Sequence, residues 1–173
     1  MGGRIKRFLE YYIGNIVYGA NDGIITTFAV ISGAAGAGFS SVIIIVLGVA
    51  NLIADGFSMG ASRFLSLRSE QSLTSVRSET RSPSADGFAT FVSFVTVGAL
   101  PLVPFLIPAA AAHAFTVSCI ATAATLFLVG SARSLVINKN PFAAGLEMLV
   151  VGGFAATIAY GLGFFVKTLI GQL

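Results

Sequence analysis

The sequence predicts an all-α membrane protein with five transmembrane helices, its N-terminus cytoplasmic and its C-terminus outside, and three observations carry that reading. Apolar residues make up 55% of the 173 and charged residues 10%, against about 25% charged in soluble domains. Mean hydropathy is +0.91, and no soluble fold of this length hides so much apolar surface inside itself. The apolar residues also fall into runs of membrane-crossing length, with Lys and Arg gathered in alternate connections.

A spanning helix needs about 20 mostly apolar residues, and the runs that qualify are 12–37, 42–65, 88–107, 115–132 and 142–166. The first ends at the Gly36-Ala37-Gly38-Phe39-Ser40-Ser41 break. The third is expected to end in a turn around Pro101, Pro104 and Pro108, where fixed φ angles and missing donors stop a helix. The connections 66–87 and 131–141 are polar. Arg4, Lys6, Arg7, Arg63, Arg68, Arg77, Arg81, Arg133 and Lys139 all fall on the side of the N-terminus, leaving only Lys167 on the other, so that side is assigned to the cytoplasm. Arg4-Ile5-Lys6-Arg7 ahead of an apolar run, with Ala35-Gly36-Ala37 behind it, has the outline of a signal peptide. The run is longer than a signal core and is interrupted by Asn21-Asp22, so it is read as a span. The whole chain, 1–173, is then one transmembrane domain, since the polar stretch 69–86 is too short to fold alone.

Several function classes drop out. The single Cys119 cannot form an intrachain disulfide, and neither it nor the lone His113 belongs to a cluster with zinc-ligand spacing. The net charge of +3 is spread through short connections, which reports orientation rather than a nucleic-acid partner. His113, near the outer end of span four, reads as an interfacial residue rather than a general base, and no nucleophile–base pair is evident. Asp55-Gly56 followed by Arg63 loosely resembles the acidic motif of phospholipid alcohol transferases, but the spacing differs and the paired downstream aspartates are missing. An enzyme is not expected.

Two residues conflict with their surroundings. Asp22 and Asp55 each lie near the centre of a span, where an Asp costs roughly 2.5–3.5 kcal/mol, and the two together cost on the order of 5–7 kcal/mol unless paired, protonated or bound to a cation. Helical spacing puts Asn15, Tyr18, Asp22 and Thr26 on one face of span one, and Asn51, Asp55, Ser58, Met59 and Ser62 on one face of span two. Such stripes cannot face lipid, so they are expected to face each other, a symmetry mate or a water-filled path. Gly19 and Gly23 bracket Asp22, and Gly56 and Gly60 follow Asp55, in GxxxG spacing. That spacing brings backbones together or frees carbonyls for a ligand, and plain helix packing accounts for it equally well. Carboxylate and amide oxygens with the thioether of Met59 suit Fe²⁺ or Mn²⁺ better than Mg²⁺, while Met59 taken alone is an ordinary apolar gap-filler.

At these residues the chain resembles the vacuolar iron transporter family, whose members move Fe²⁺ or Mn²⁺ out of the cytosol in exchange for protons. The resemblance runs, in the family's order, through YGANDGIITTFAVISGAAGAG, NLIADGFSMGASRFLSLRSE, GALPLVP and NPFAAGLEMLVVGGFAATIAYGLG. It implies the five-span layout, a homodimer with the path between the first spans, and a transport site at Asp22 of GANDG and Met59 of SMG. Asp55 of ADG is the natural third ligand. With Asn51 these form the candidate metal set, and Asn15, Tyr18, Thr26, Ser58 and Ser62 line the path. Independently, five short helices leave little room for a private pore, and two copies would double the ligands.

Three departures from the family pattern bear on function. The family commonly inserts a helical cytoplasmic domain rich in Glu and Met between spans two and three. Here that region is only 66–87, where Glu70, Glu79 and Asp86 are weak metal-capturing ligands or, on the plainer reading, solvated loop charge. Arg63 stands where the pattern after SMG has a Glu, and Glu147 stands where a basic residue is expected. Arg63 and Glu147 are therefore expected to pair near the cytoplasmic mouth with reversed polarity; unpaired, Arg63 would disfavour cation entry.

The expectation is proton-coupled export of Fe²⁺ or Mn²⁺ through a dimer in a lipid bilayer, with metal displacing protons from Asp22 and Asp55 because ligands bind metal deprotonated. Metal is the substrate and H⁺ the counter-ion; no permanently bound cofactor is expected. The alternative is a non-transporting membrane module that keeps the fold and its GxxxG packing. Compact size and the lack of a targeting extension favour a prokaryotic plasma membrane over an acidic-organelle membrane.

Overall fold

The computed structural model describes the backbone of residues 2–73, 82–137 and 140–171, and the side chains of 12–73, 82–134 and 140–171. Helices α1 (Gly2–Gly36), α2 (Ser41–Leu73), α3 (Pro83–Gly98), the short α4 (Val103–Leu106), α5 (Ala114–Ile137) and α6 (Pro141–Ile170) follow in order, with 3-10 turns at Leu100–Leu102 and Pro108–His113. No strand occurs among the described residues.

Among the described residues, four stretches are long and apolar enough to cross a membrane: Ser41–Leu73, Pro83–Leu106, Pro108–Ser134 and Pro141–Ile170. Helix α1 has 35 residues, about 50 Å at 1.5 Å per residue, ample for a hydrocarbon layer of about 30 Å. It is less apolar because it is the central helix. Ile24, Thr27 and Ile31 on α1 are fully enclosed, and α2, α3, α5 and α6 all pack against it. A helix shielded from lipid by its neighbours carries Asn, Asp and Thr that a lipid-facing helix cannot. Helix α6 is the opposite case: Phe154, Phe164, Phe165 and Ile170 are all exposed, as a lipid-facing surface requires.

Close contacts at small residues fix the register. Gly19 and Gly23 lie against Thr90, Ser93 and Phe94, and Gly98 lies against Gly23, so α1 and α3 run parallel. Gly56 meets Phe91, Phe94 and Val95 while Gly60 meets Gly87, so α2 and α3 are antiparallel. Gly130 meets Ala144 and Gly145 while Gly152 meets Leu126, so α5 and α6 are antiparallel as well. The C-terminal halves of α2 and α5 and the N-terminal halves of α1, α3 and α6 therefore share one end of the bundle. Arg63, Asp86, Arg133 and Glu147 all lie towards that charged end. Lys167 sits at the other, its Nζ close to Gly38.

The turn from α1 to α2 depends on Gly38, at φ +74°, a left-handed conformation that a side chain would strain. Ala37 N donates to Gly33 O at 3.0 Å and Phe39 N to Ala34 O at 3.0 Å, closing the free carbonyls of the helix end.

Several boundaries differ from the sequence expectation. Helix α2 continues past 65 to Leu73, and α3 begins at Pro83, so much of the expected loop 66–87 is helical. Pro101 and Pro104 do not end the third span; each sits in the first turn of a new short helical segment, where a proline costs no hydrogen bond. The buried Ser118 Oγ donates to the Pro101 carbonyl at 2.6 Å, satisfying a group that the break in the helix frees. The chain reverses only at Ile107–His113. Helices α5 and α6 likewise run beyond 132 and 166, to Ile137 and Ile170.

Candidate functional site

The helix register brings Asp22 and Asp55 to one depth. Gly23, next to Asp22, abuts the Phe94 carbonyl, and Gly56, next to Asp55, abuts the Phe94 ring. Phe94 is fully buried, so it is a common reference point from which α1 and α2 each present an acid one residue away. Both acids are half-buried. Two carboxylates sharing a poorly solvated region repel; a cation between them reverses that sign.

The surroundings are short of hydrogen-bond partners. Asn21 Oδ1, Asn51 Nδ2 and Asn15 Nδ2 are buried without one, and each such group costs about 1–3 kcal/mol. Met59, one turn beyond Asp55, packs against the core cluster that contains Phe28, Leu52 and Phe94. Among the described residues, no three His, Cys, Asp or Glu side chains gather as a metal-holding group. The chemistry available at this depth is that of two carboxylates, neighbouring amides and one thioether.

The residues assigned to the path divide. Asn15 is 6% exposed and points into the bundle, whereas Tyr18 is 61% exposed, and Ser58 and Ser62 lie on the surface of the chain. The Thr26 hydroxyl donates to the Asp22 backbone carbonyl at 2.9 Å, so it is engaged within α1. The four glycines all face α3. A Cβ on Gly19 would lie 2.6 Å from Thr90 O and Ser93 Oγ, and one on Gly60 would lie 2.8 Å from Gly87 O.

The expected pair of Arg63 with Glu147 does not form within the chain. Arg63 Nη2 instead lies 3.4 Å from Asp86 Oδ2, and Arg133 Nη2 lies 3.4 Å from Glu147 Oε2. The reason is topological. Helix α2 packs on α3, and α5 packs on α6, so each charge meets its partner on the adjacent antiparallel helix. Asp86 is also no solvated loop charge: it is 0% exposed, in the first turn of α3. Its position could have been read from the sequence. Ser82 caps the helix, its side chain accepting from Ala85 N, and Pro83 opens the first turn, a helix-start signal that ends on an acid. Glu70 lies exposed near the end of α2, where Ser66 Oγ donates to its Oε1 at 3.3 Å. Glu79 falls outside the described residues.

The fold and these buried polar groups define a class: an integral membrane protein made of a helix bundle, with acidic side chains halfway along its inner helices. Comparison with known families narrows it. The chain belongs to the VIT family, whose model matches residues 13–80 and 72–164. Its curated relatives include a vacuolar iron transporter of Toxoplasma gondii, 24% identical over 92% of this chain and 76% of the relative. Another, from Plasmodium falciparum, is 24% identical over 91% and 83%. Vacuolar iron transporter 1 of Eucalyptus grandis is 21% identical over 90% and 87%. These relatives are transporters, not enzymes. The Toxoplasma alignment extends over 229 residues, longer than this chain, because the relative carries residues with no counterpart here. The two matched family segments meet at residues 72–80, between α2 and α3.

Proposed function

We propose that this chain moves a divalent transition metal, Fe²⁺ or Mn²⁺, out of the cytosol in exchange for protons, at a site built on Asp22 and Asp55 and completed where two copies meet. The observation that carries the proposal is the pair of acids at one depth, each next to a glycine that abuts Phe94, with the unpartnered amide oxygen of Asn21 beside Asp22. A divalent cation supplies what that arrangement lacks: charge for the carboxylates and a centre for the Asn21 amide oxygen. The thioether of Met59 favours Fe²⁺ or Mn²⁺ over Mg²⁺. The relatives' names, which specify iron and the vacuole, support the cargo.

The basic residues assign the charged end to the cytoplasm. Metal arriving from that side displaces protons from Asp22 and Asp55, because carboxylates bind metal deprotonated. Protons entering from the opposite side release it. Tyr18, Ser58 and Ser62 are exposed on a single chain, and polar groups at membrane depth need cover. A second copy laid on this face covers them and doubles the ligand set. We place the chain in a prokaryotic plasma membrane, with an acidic-organelle membrane as the alternative. In that setting, as in the vacuoles of its relatives, the proton-rich compartment lies on the side of the C-terminus.

The test is flux. Purified protein in liposomes carrying a metal-sensitive dye should move Fe²⁺ and Mn²⁺ but not Mg²⁺ under a proton gradient, with counterflow of protons, and Asp22→Asn should stop it. A wild-type chain that passes no metal under any gradient would instead identify a non-transporting membrane module.

A further inference from the structure

The stripe on α2 that holds Asp55 and Met59 continues, four residues on, to Arg63. At 1.5 Å per residue this puts the guanidinium's backbone about 12 Å along the axis from Asp55, towards the charged end from which a cytosolic cation would come. An uncompensated positive charge there opposes a divalent cation. At 12 Å and an effective dielectric constant near 20, the repulsion lowers occupancy by on the order of a hundredfold, and by about three- to fourfold once salt screens it over a Debye length of about 8–10 Å.

We propose that Asp86 is a positioning residue that holds and cancels the Arg63 charge, so that Arg63 does not oppose an incoming divalent cation. Asp86 is 0% exposed, while the Arg63 side chain is 27% exposed, at 3.4 Å. The anion thus sits behind the cation, on its inner side. Arg63 Nε has no hydrogen-bond partner, so the guanidinium is held chiefly through its Nη2 edge. A role as a mere staple between α2 and α3 is poorly motivated, because Gly60 and Gly87 already bring those backbones into contact beside the pair. Burying a carboxylate completely is costly, and the charge it neutralises gives that cost a function.

This inference rests on the transport reading above, and the two fail differently. The full chain, as wild type, Asp86→Asn and the double variant Arg63→Gln/Asp86→Asn, is reconstituted in liposomes, and Mn²⁺ flux is measured at low and high salt. Asp86→Asn should raise KM about 10–100-fold at low salt with kcat largely kept, and the effect should shrink at high salt. The double variant should return KM to within about threefold of wild type, since both charges are gone. A double variant no better than the single, or a loss of kcat and melting temperature with KM unmoved, would overturn the proposal in favour of a staple. Should Asp86→Asn fail to fold, the double variant still decides: a raised KM overturns the proposal, a wild-type KM supports it. Absence of flux in the wild type overturns the transport reading and this inference together, whereas wild-type flux with an unmoved KM in Asp86→Asn overturns only this one.

Discussion

Gly23→Ala tests the seam on which the site is built. The new Cβ would fall inside contact distance of the Phe94 carbonyl, and helices α1 and α3 would have to part by about 1 Å to restore ordinary separation. Overpacking of this kind costs about 1–3 kcal/mol, and the better helix propensity of Ala returns up to about 1 kcal/mol. The net loss is about 1–2 kcal/mol, a fall in melting temperature of roughly 2–8 °C for a chain of this size. Gly153→Ala is the internal control. It lies within α6 with nothing within 4 Å of the added Cβ, so it should be neutral or stabilising by up to about 1 kcal/mol. Thermal unfolding in detergent measures both, and Mn²⁺ flux should fall for Gly23→Ala because the depth match of Asp22 with Asp55 depends on that contact. If Gly23→Ala melts at or above wild type, the α1–α3 seam does not set the register.

Other substitutions test separate parts of the account. Arg133→Ala or Glu147→Ala should shift stability by no more than about 1 kcal/mol, since the side chains are 31% and 53% exposed. A double-mutant cycle between Arg63 and Glu147, read by thermal melts, should return no coupling beyond about 0.5 kcal/mol. Ser118→Ala removes the donor to the buried Pro101 carbonyl and should cost about 1–3 kcal/mol in the same melts, with Met59→Leu as a nearly isosteric comparison costing less than about 1.5 kcal/mol.

What could be read from the sequence follows from what helical periodicity encodes. Spacing at three and four residues reports which side chains share a face, so the stripes of Asp22 and Asp55 were visible. It does not report which helix that face meets. Gly19 and Gly23 belong to a seam with α3, and only the packed structure shows that the glycines beside the two acids, Gly23 and Gly56, meet at Phe94. Hydropathy fails for a related reason. It measures preference for lipid, and α1 is screened from lipid over most of its surface by the helices around it, so the most central helix is the least apolar. Charge complementarity pairs Arg63 with Glu147, but it does not encode which helices are neighbours, and the adjacent helices supply Asp86 and Arg133 instead. By composition Asp86 belongs with the loop charges, whereas the capping signal at Ser82-Pro83 places it in the first turn of α3.

The central claim is that the two acids hold one cation between them, and equilibrium binding tests it without depending on transport. Titration of Mn²⁺ into the purified protein, followed by calorimetry or by the loss of free-ion paramagnetic signal, should show saturable binding. Asp22→Asn and Asp55→Asn should each weaken it by more than the roughly 10–100-fold that losing a supporting residue costs a metal site. Binding that either variant leaves at wild-type affinity would contradict the claim.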